Sequence, residues 1–222
     1  YWAKDWTALD PNFGTPEEVK NMVEKAHQHG IRIVFDGVIN HTGPVTPQDA
    51  VWPENWVRTS PACDYKNYKN TTACTLVANL PDILTESEQN VELPAALVEK
   101  WKKEGRYEQE VKELDEFFAR TGYPRAPKYY IIKWLTDYIT EYGIDGYRAD
   151  TTKHLEEGVW AEFKKQCDYA FVNWKKNNPA KVLDNTAFYT TGEVSGYNIS
   201  GGLYYDFGDK KVNYFANGFN SL

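Results

Sequence analysis

Three segments of the sequence run from apolar residues into ionisable or amide side chains. They cover residues 35–41, 146–154 and 188–193. The side chains in them that could do chemistry are Asp36, Asn40, His41, Arg148, Asp150, Lys153, His154 and Glu193. Short apolar runs predict buried strands, and parallel strands deliver catalytic groups at their carboxyl ends. We therefore expect the three strand ends to form one reactive site.

Asp150 and Glu193 are the carboxyl groups best placed for nucleophilic or acid–base chemistry. They end adjacent predicted strands, which lie about 4.8 Å apart in a sheet, so the two groups can approach each other. Arg148 precedes Asp150 by two residues and points to the same face of the strand, where its charge should keep Asp150 ionised. Glu193 has no cation next to it in the sequence, which favours a raised pKa. The alternative is a plain ion pair between Arg148 and Asp150.

The surrounding elements alternate between helices and strands. Thr15 caps a helix that starts at Pro16 and ends at Gly30, and we expect His27 and His29 at its end to be structural. The pattern then predicts strands over residues 31–36, 144–150 and 187–193 and helices over residues 129–142 and 155–176. This alternation indicates a parallel barrel or a doubly wound sheet. A doubly wound nucleotide binder would need a glycine-rich phosphate loop after its first strand, and the sequence has none.

Residues 42–128 interrupt the alternation. They are rich in Pro, Asn and Thr at first, and the charged run over residues 98–120 then predicts a helix. Because a structureless loop of this length is uncommon in a compact domain, we expect an inserted subdomain.

Several motifs, taken in order, resemble the α-amylase family of glycoside hydrolases, family thirteen. They are DxxxNH at residues 36–41, GxRxD followed by KH at residues 146–154, and a strand that ends in GE at residue 193. Leu80-Pro81-Asp82 resembles the LPD element of the family's domain B, and Tyr1-Trp2 resembles the aromatic pair after its second barrel strand. The segment around the LPD element and the cysteine pair before it are most similar to the secreted or periplasmic bacterial branch.

The resemblance implies an α/β fold, a partial (β/α)8 TIM barrel comprising about strands three to five. Residues 1–41 and 129–222 would be barrel segments, and residues 42–128 would be the inserted domain B. No Asn-His-Asp follows Glu193, and Asp206 and Asp209 do not match it. We therefore expect the family's third acid to lie outside this chain, and the remainder of the barrel to be needed for a complete site.

For function, the resemblance implies a retaining glycoside hydrolase that cleaves α-1,4-glucosidic bonds in starch-like glucans or maltooligosaccharides. Asp150 corresponds to the nucleophile and Glu193 to the general acid/base, a pair that lies about 5 to 5.5 Å apart in retaining enzymes. Asp36 would be a partner of Arg148 rather than a catalyst. The same signatures occur in α-glucosidases and transglycosylases of the family. An alternative of another class is a non-catalytic, amylase-like sugar-binding subunit, although such proteins typically lose one of the two carboxylates.

Other residues resemble the family's contacts with sugar. Tyr1 resembles the aromatic residue that stacks on the sugar at the cleavage site, and His41 resembles the histidine that hydrogen-bonds the same sugar. Lys153 and His154 resemble contacts on the leaving-group side. The substrate-binding residues implied in this way are Tyr1, His41, Arg148, Lys153 and His154.

The resemblance also implies a calcium ion between the barrel and the inserted subdomain. Asn40 and Asp82 correspond to its ligands, together with the backbone oxygen of His154. All are oxygen donors, which calcium prefers. The alternative is that Asn40 caps a turn and Asp82 merely follows a proline. No His/Cys cluster suggests zinc.

The composition and the cysteine positions limit the binding partners and the cellular compartment. A net charge of −7 and a pI near 5.2 argue against nucleic acid or an anionic membrane surface as partner. No apolar run reaches the roughly 18 residues that a membrane span needs. Cys63 and Cys74 lie in one polar loop and predict a disulfide, which favours a secreted or periplasmic location, whereas two free thiols in a cytosolic loop are the alternative. Cys167 is expected to be a small buried apolar residue.

Overall fold

The structure, a computed structural model, describes residues 3–44, 46–195 and 204–220. Its helices are α1 (Pro16–Gln28), α2 (Lys69–Thr72), α3 (Ala95–Lys103), α4 (Tyr107–Thr121), α5 (Pro127–Tyr142) and α6 (Glu157–Asn177). Its strands are β1 (Val34–Gly37), β2 (Val57–Arg58), β3 (Asp82–Ile83), β4 (Gly146–Ala149), β5 (Tyr189–Gly192), β6 (Tyr204–Asp206) and β7 (Lys211–Asn213).

Strands β1, β4 and β5 form a parallel sheet in the order β1-β4-β5. Gly146, the first residue of β4, pairs with Val34 of β1 and with Tyr189 of β5. The ladder continues past the strands, since the N–H of Asp150 donates to the carbonyl oxygen of Gly37 at 3.0 Å. The three strands therefore end side by side at one edge of the sheet, as the sequence predicts.

The predicted elements of the alternation are present with somewhat different ends. The strands predicted over residues 31–36, 144–150 and 187–193 are β1, β4 and β5, and the helices predicted over residues 129–142 and 155–176 are α5 and α6. The predicted cap of α1 is confirmed as a capping box, in which the Thr15 hydroxyl accepts the N–H of Glu18 and the Glu18 carboxylate accepts the N–H of Thr15.

Tyr147 of β4 is fully buried between helices α5 and α6. Its hydroxyl donates to the carbonyl oxygen of Leu135 at 2.6 Å, and its ring centroid lies 5.4 Å from that of Phe163. Burying an apolar side chain such as Phe163 stabilises the fold by about 1.5–3 kcal/mol. Because side chains alternate along a strand, the next residue, Arg148, points to the opposite face. Packing on one face of β4 thus fixes the direction of a functional side chain on the other.

Asp145, with its buried partner His27, ties the amino ends of β1, β4 and β5 together. His27 Nε2 of α1 lies 2.8 Å from Asp145 Oδ2, and the same oxygen accepts the N–H of Ile33 at 2.8 Å. The backbone of Asp145 also donates to the carbonyl oxygen of Ile33 and accepts the N–H of Tyr189. His27 is therefore structural, as expected, and it fastens α1 to the sheet.

Gly146 allows β4 and β5 to approach closely at the start of their pairing. A Cβ atom at this position would lie 2.6 Å from the carbonyl oxygen of Tyr189, much closer than carbon and oxygen can approach. Any side chain at residue 146 would therefore push the two strands apart.

The stretch between β1 and α5 contains short elements of its own. Strands β2 and β3 pair antiparallel, which places Arg58 opposite Asp82. The helix predicted over residues 98–120 is instead two helices, α3 and α4. Gly105 between them has φ +72°, a left-handed conformation that ends the first helix. The division of the chain into residues 1–41, 42–128 and 129–222 stays a prediction.

The cysteines behave as the sequence predicts. Cys63 and Cys74 form a disulfide, and Cys167 is a buried free thiol on α6. Burial raises the pKa of the Cys167 thiol well above its usual range, so this residue is a packing residue rather than a nucleophile. No helix within the described ranges combines the length and the apolar character that a membrane crossing requires.

Candidate active site

Arg148 is the centre of a charged cluster at the carboxyl ends of the parallel strands. Its Nη1 lies 2.8 Å from Asp36 Oδ1 and 2.7 Å from Asp150 Oδ1. Its Nη2 lies 2.9 Å from Glu193 Oε1. The strand register explains the geometry, because Asp36 stands beside Arg148 in the β1–β4 ladder and Glu193 directly follows β5. One guanidinium therefore contacts a carboxylate from each of the three strand ends.

Tertiary contacts add to what sequence neighbours imply about these charges. Glu193 does have a cation beside it, because Arg148 faces it from the neighbouring strand although the two are far apart in sequence. Arg148 lowers the pKa of Asp150, as expected, but other effects outweigh it. Burial, followed by the charge of Glu193, raises the pKa of Asp150 to about 6 against the opposing charge of Arg148. Three carboxylates share one guanidinium, so its charge is not enough to compensate them all.

Asp150 and Glu193 face the same space. Each carboxyl group contacts a different nitrogen of the Arg148 guanidinium. Retaining glycosidases hold two carboxyl groups roughly 5 to 5.5 Å apart, closer than the roughly 6.5 to 9.5 Å of inverting ones, so a shared guanidinium favours the retaining arrangement. The Asp150 side chain is 14% exposed and that of Glu193 is 43% exposed. Glu193 is thus the group more open to an incoming molecule.

Thr151 belongs to this cluster and was not singled out from the sequence. Its N–H lies 3.3 Å from Glu193 Oε2, which orients the carboxyl group from the β4 side. Thr151 has φ +51°, an uncommon conformation for a β-branched residue that marks strain at functional sites. The only signal in the sequence is its position directly after Asp150, which says nothing about its backbone.

His41 lies close to the same carboxylates. It is buried, it forms an isolated β-bridge with Asp82, and the charge of Glu193 acts on its ring. Burial lowers the pKa of His41 to about 4, since Glu193 only partly offsets the loss of hydration. His41 is therefore a neutral imidazole at neutral pH, able to donate or accept a hydrogen bond without carrying charge.

Lys153 and His154 are both buried and already have partners. Lys153 Nζ donates to the carbonyl oxygen of Ser195 and lies 3.2 Å from the Tyr205 hydroxyl. His154 Nδ1 lies 3.1 Å from the carbonyl oxygen of Thr71, and since a carbonyl only accepts, Nδ1 carries the proton. These two residues lie on the Glu193 side of the cluster. Tyr1, the expected stacking residue, lies outside the described residues.

Asn40 and Asp82, the expected calcium ligands, are almost fully buried and adjacent. The N–H of Ile83 donates to the carbonyl oxygen of Asn40 at 2.8 Å, which fixes the two segments together. His154, the third expected ligand, is near enough to His41 for their charges to interact. Within the described ranges, no three His, Cys, Asp or Glu side chains form a metal site, so a cation here would need amide and backbone oxygens in addition to the Asp82 carboxylate.

The Asp82 carboxyl group has the chemistry of a cation ligand. Its Oδ2 lies 2.8 Å from Arg58 Nε, but the N–H is not aligned with it, and no described group donates a hydrogen bond to this buried oxygen. Burial raises the pKa of Asp82 to about 8, with Glu86 and Glu156 adding to the effect of burial and Arg58 opposing it. A buried carboxyl in acidic surroundings fits a hard cation, which would share Asp82 with Arg58.

A cavity of about 640 Å³ lies elsewhere in the molecule. It is lined by several residues between Trp6 and Glu18 and by residues of α4 and α5, including Trp134 and Tyr138. None of the carboxylates around Arg148 borders it. The site is therefore defined by its charges and strand ends rather than by this cavity.

The comparison with protein families agrees with the arrangement of these strand ends. The family model for the α-amylase catalytic domain matches residues 1–197. The chain belongs to the α-amylase family. Its parallel sheet and helices are part of the (β/α)8 barrel of that family's catalytic domain, which confirms the fold implied by the motifs.

Relatives of this α-amylase family chain include enzymes with different activities. It is 32% identical to the periplasmic α-amylase of Escherichia coli K12, over 96% of this chain and 37% of that protein. It is 26% identical to a cyclomaltodextrin glucanotransferase of Niallia circulans, over 88% of this chain and 25% of that protein. A solved α-amylase from Geobacillus thermoleovorans superposes with a TM-score of 0.57 at 24% identity, covering 88% of this chain and 33% of that one. The chain thus spans well under half the length of these relatives.

Proposed function

We propose that this α-amylase family protein is a retaining glycosidase that cleaves α-1,4-glucosidic bonds in starch-like glucans or maltooligosaccharides. The observation that carries the proposal is the Arg148 guanidinium, which holds Asp150 and Glu193 together at one open edge of the sheet. Two carboxyl groups this close are what a double displacement requires. An ion pair needed only for folding would not bring three carboxylates to one cation at a partly exposed position.

In the proposed reaction, Asp150 is the nucleophile and Glu193 the proton donor. Asp150 forms a bond to the anomeric carbon while the glycosidic C–O bond breaks, and Glu193 gives its proton to the leaving oxygen. Water then attacks the glycosyl ester, Glu193 takes its proton, and Asp150 leaves as a carboxylate. The working state of the pair carries one proton, which must reside on Glu193. Arg148 favours this state because its charge stabilises ionised Asp150.

The surrounding side chains are proposed to position the sugar. His41, neutral and buried beside the carboxylates, would hydrogen-bond a hydroxyl of the sugar under attack, on which Tyr1 would stack. Arg148 would hold the nucleophile. Lys153 and His154 are proposed to shape the leaving-group side of the site from below its surface, since both are buried.

The proposal is tested on the full-length protein in two ways. Proton NMR of the first products from maltooligosaccharides should show the α-anomer before mutarotation, because two displacements retain configuration. A 5-fluoro glycosyl fluoride should trap a covalent adduct, which peptide mass spectrometry should locate on Asp150. A β-anomeric first product, or an adduct on another residue, would contradict the mechanism.

Transglycosylation is a second candidate, favoured by the 26% identity to a cyclomaltodextrin glucanotransferase. The two activities share the glycosyl-enzyme step and differ in the acceptor, which is water or a sugar hydroxyl. Chromatography of the products from one maltooligosaccharide separates them, because transfer gives products longer than the substrate. An α-glucosidase would release single glucose units. A sugar-binding subunit without activity would leave the substrate intact.

A structural calcium ion is also proposed. Asn40, Asp82 and the backbone oxygen of His154 would hold it, and it would fasten the stretch between β1 and α5 to the strand ends. The buried Asp82 oxygen without a hydrogen-bond donor in the described residues supports this proposal. When bound, calcium would supply positive charge to the acidic surroundings of Asp82 and no chemistry on the substrate.

A secreted or periplasmic location is proposed for the protein. The Cys63–Cys74 disulfide supports it, because such bonds persist in oxidising compartments. The 32% identity to a periplasmic α-amylase is independent support. Fractionation of the source cells, with detection of the protein in the medium or periplasm, tests this proposal directly.

A further inference from the structure

The cavity of about 640 Å³ between the segment before α1 and helices α4 and α5 has no part in the proposed reaction. Its volume falls within the roughly 300–1,000 Å³ of cavities that bind small molecules. It is separate from the strand ends, since none of Asp36, Asp150 and Glu193 lines it. The groups in its wall therefore decide what it can hold.

The wall of the cavity is rich in carboxylates. Among the described residues, one basic side chain, Arg106, and six acidic side chains line it, the acids being Glu18, Glu104, Glu110, Glu113, Asp137 and Glu141. Glu113 and Asp137 contact buried Lys133 at 2.8 and 2.7 Å, yet their side chains are 39% and 35% exposed. A carboxylate has two oxygens that accept hydrogen bonds, so these acids can pair with lysine and still accept from a bound molecule.

Trp134 of α5 offers the opposite hydrogen-bonding property. It borders the cavity and is 1% exposed, and its Nε1 is a buried donor with no acceptor among the described residues. Two neighbouring indoles do have acceptors: Trp6 Nε1 donates to the carbonyl oxygen of Val38 at 2.7 Å, and Trp101 Nε1 donates to Thr7 Oγ1 at 3.0 Å. Because buried polar groups are almost always hydrogen-bonded, the unpaired indole N–H indicates an acceptor that a ligand supplies.

The rest of the wall is apolar or aromatic, and it includes Leu9, Pro11, Tyr138 and Tyr142. The Tyr138 and Tyr142 rings are stacked, with centroids 5.9 Å apart. The Tyr138 ring also contacts Phe35 of β1 edge to face, at 6.1 Å. The sheet therefore holds this aromatic side of the cavity in place before any ligand arrives, which reduces the entropy lost on binding.

These three properties select the chemistry of the ligand. A metal ion or an ammonium group would suit the carboxylates but offers no acceptor to the Trp134 N–H. An anion would accept from Trp134, but the carboxylates would repel it. A hydroxyl group both donates and accepts. A sugar carries several hydroxyls around an apolar ring face, which packs well on aromatic side chains.

We infer that this cavity is a second carbohydrate site, in which a sugar unit donates hydroxyl hydrogen bonds to Glu113 and Asp137, accepts one from Trp134 and packs on Tyr138. The hydroxyl-rich class of ligand follows from the cavity alone. Its identity as a unit of an α-glucan rests on the proposed function. The site would hold a glucan at a distance from the strand ends where it is cut.

The test counts the maltotriose molecules that bind to the full-length protein. In an Asp150→Asn background, which prevents turnover, equilibrium dialysis with radiolabelled maltotriose measures binding alone. Ala8 lines the cavity, so Ala8→Phe fills space in it and should bind one maltotriose fewer per protein. Ala96→Phe is the matched control, because it makes the same enlargement at an exposed position of α3 outside the cavity, and it should bind as many as the background.

A second variant changes the polarity of the cavity instead of its space. Glu141 lines the cavity and is exposed, and Glu141→Gln keeps its size but removes its charge. This variant should keep the number of bound maltotriose molecules and raise the Kd of one site about 3- to 10-fold, since hydrogen bonds to charged acceptors are the stronger ones. Sodium chloride should not change maltotriose binding, because the sugar is uncharged, whereas it would displace an organic cation such as spermidine.

Each outcome supports or overturns the inference. One maltotriose fewer in Ala8→Phe alone supports it, and equal counts in Ala8→Phe and its background, or an equal loss in Ala96→Phe, overturn it. Spermidine binding that Ala8→Phe abolishes while the maltotriose count stays the same would assign the cavity to a cation. If thermal unfolding shows that Ala8→Phe does not fold, an unchanged Kd at every site in Glu141→Gln overturns the inference.

The proposed glycosidase function is judged separately, by hydrolysis of maltooligosaccharides by the unmodified protein. Absence of hydrolysis would overturn that function, whereas the count of bound maltotriose would still decide whether the cavity is a carbohydrate site.

Discussion

The two ends of the parallel sheet use ionisable side chains for different purposes. At the amino end, Asp145 and His27 form one buried pair, and the remaining contacts of Asp145 go to backbone N–H and carbonyl groups. At the carboxyl end, Arg148 is shared by three carboxylates that are partly exposed. At the amino end the two side chains pair in the interior, whereas at the carboxyl end three carboxylates share one cation near the surface.

This difference shows that an excess of carboxylates over cations marks the reactive end of a sheet. A buried pair whose polar atoms all have hydrogen-bond partners contributes to folding. An unbalanced cluster raises the pKa of its most buried acid, as it does for Asp150, so that folding gains nothing from the ionised form. In parallel barrels the carboxyl end carries the chemistry and the amino end carries stability, and this chain follows that division.

The largest expected effect is on activity at the carboxyl end. Asp150→Asn keeps the shape of the side chain but removes the nucleophile, so kcat of the full-length protein should fall by several orders of magnitude. Stability should not fall, because ionised Asp150 is disfavoured by burial and by Glu193. Steady-state kinetics and thermal unfolding of the same preparation measure both quantities. Retained activity would refute the role of Asp150, and a strong loss of stability would refute the division between the two ends.

The next effect is on stability at the amino end. Asp145→Ala leaves buried His27 without its partner and the N–H of Ile33 without its side-chain acceptor, which should lower the free energy of unfolding by about 3 kcal/mol. Urea unfolding measures the loss, and activity per folded molecule should be unchanged. Asp184→Ala is the control, since its ion pair with Arg32 is on the surface and its removal should change little. Comparable losses of unfolding free energy in Asp145→Ala and Asp184→Ala would show that the buried contact contributes no more to stability than the surface ion pair.

A bound calcium ion would make the carboxyl end of the sheet contribute to stability as well, and the difference between the two ends would then be smaller. If the ion binds at Asn40 and Asp82, free calcium at a hundredfold excess over its Kd would stabilise the folded protein by about 2.7 kcal/mol. Addition of a chelator should then lower the melting temperature, and added calcium, but not the same concentration of sodium, should restore it. A variant with Asp82→Asn should respond much less to the chelator. An unchanged melting temperature in the chelated protein would exclude a structural calcium ion.

The smallest effect is a shift in pH dependence. The pKa of Asp150 is raised to about 6, so the nucleophile is lost as the pH falls through this value, and kcat/KM should decline on the acid side near pH 6. Arg148 lowers this pKa, so Arg148→Gln should move the acid limb of the residual activity upward by about one pH unit. A pH profile of kcat/KM measures the shift. An acid limb that moves to lower pH in Arg148→Gln would show that Arg148 is not the group that keeps Asp150 ionised.

The local features of this fold could be read from the sequence, because they depend on neighbouring residues. The cap of α1 at Thr15, the parallel strand ends and the disulfide between Cys63 and Cys74 all follow from short-range patterns. The break between α3 and α4 was signalled by Gly105, but the charged run around it has a stronger helical pattern.

The contacts that decide the chemistry could not be read in this way. Arg148 contacts Glu193 only because β4 and β5 pair in one register, and a shift of one residue would point the side chains to opposite faces. Tyr65 covers Lys153 only because the disulfide-closed loop, residues 63–74, folds back on the strand ends. Such neighbours are set by tertiary packing, to which sequence spacing gives no access.

The close approach of β4 and β5 at Gly146 has a mechanical consequence for the carboxyl groups at the far end of the strands. Asp150 follows Gly146 by four positions, which correspond to about 13 Å of extended chain. If a methyl group wedged the strands apart at residue 146, the two strands would pivot, and the gap between Asp150 and Glu193 would change without any substitution near the substrate. A misplacement of about 1 Å between reacting groups can cost about a hundredfold in rate. The lack of a side chain at residue 146 thus helps to set the distance between Asp150 and Glu193 at the other end of the strands.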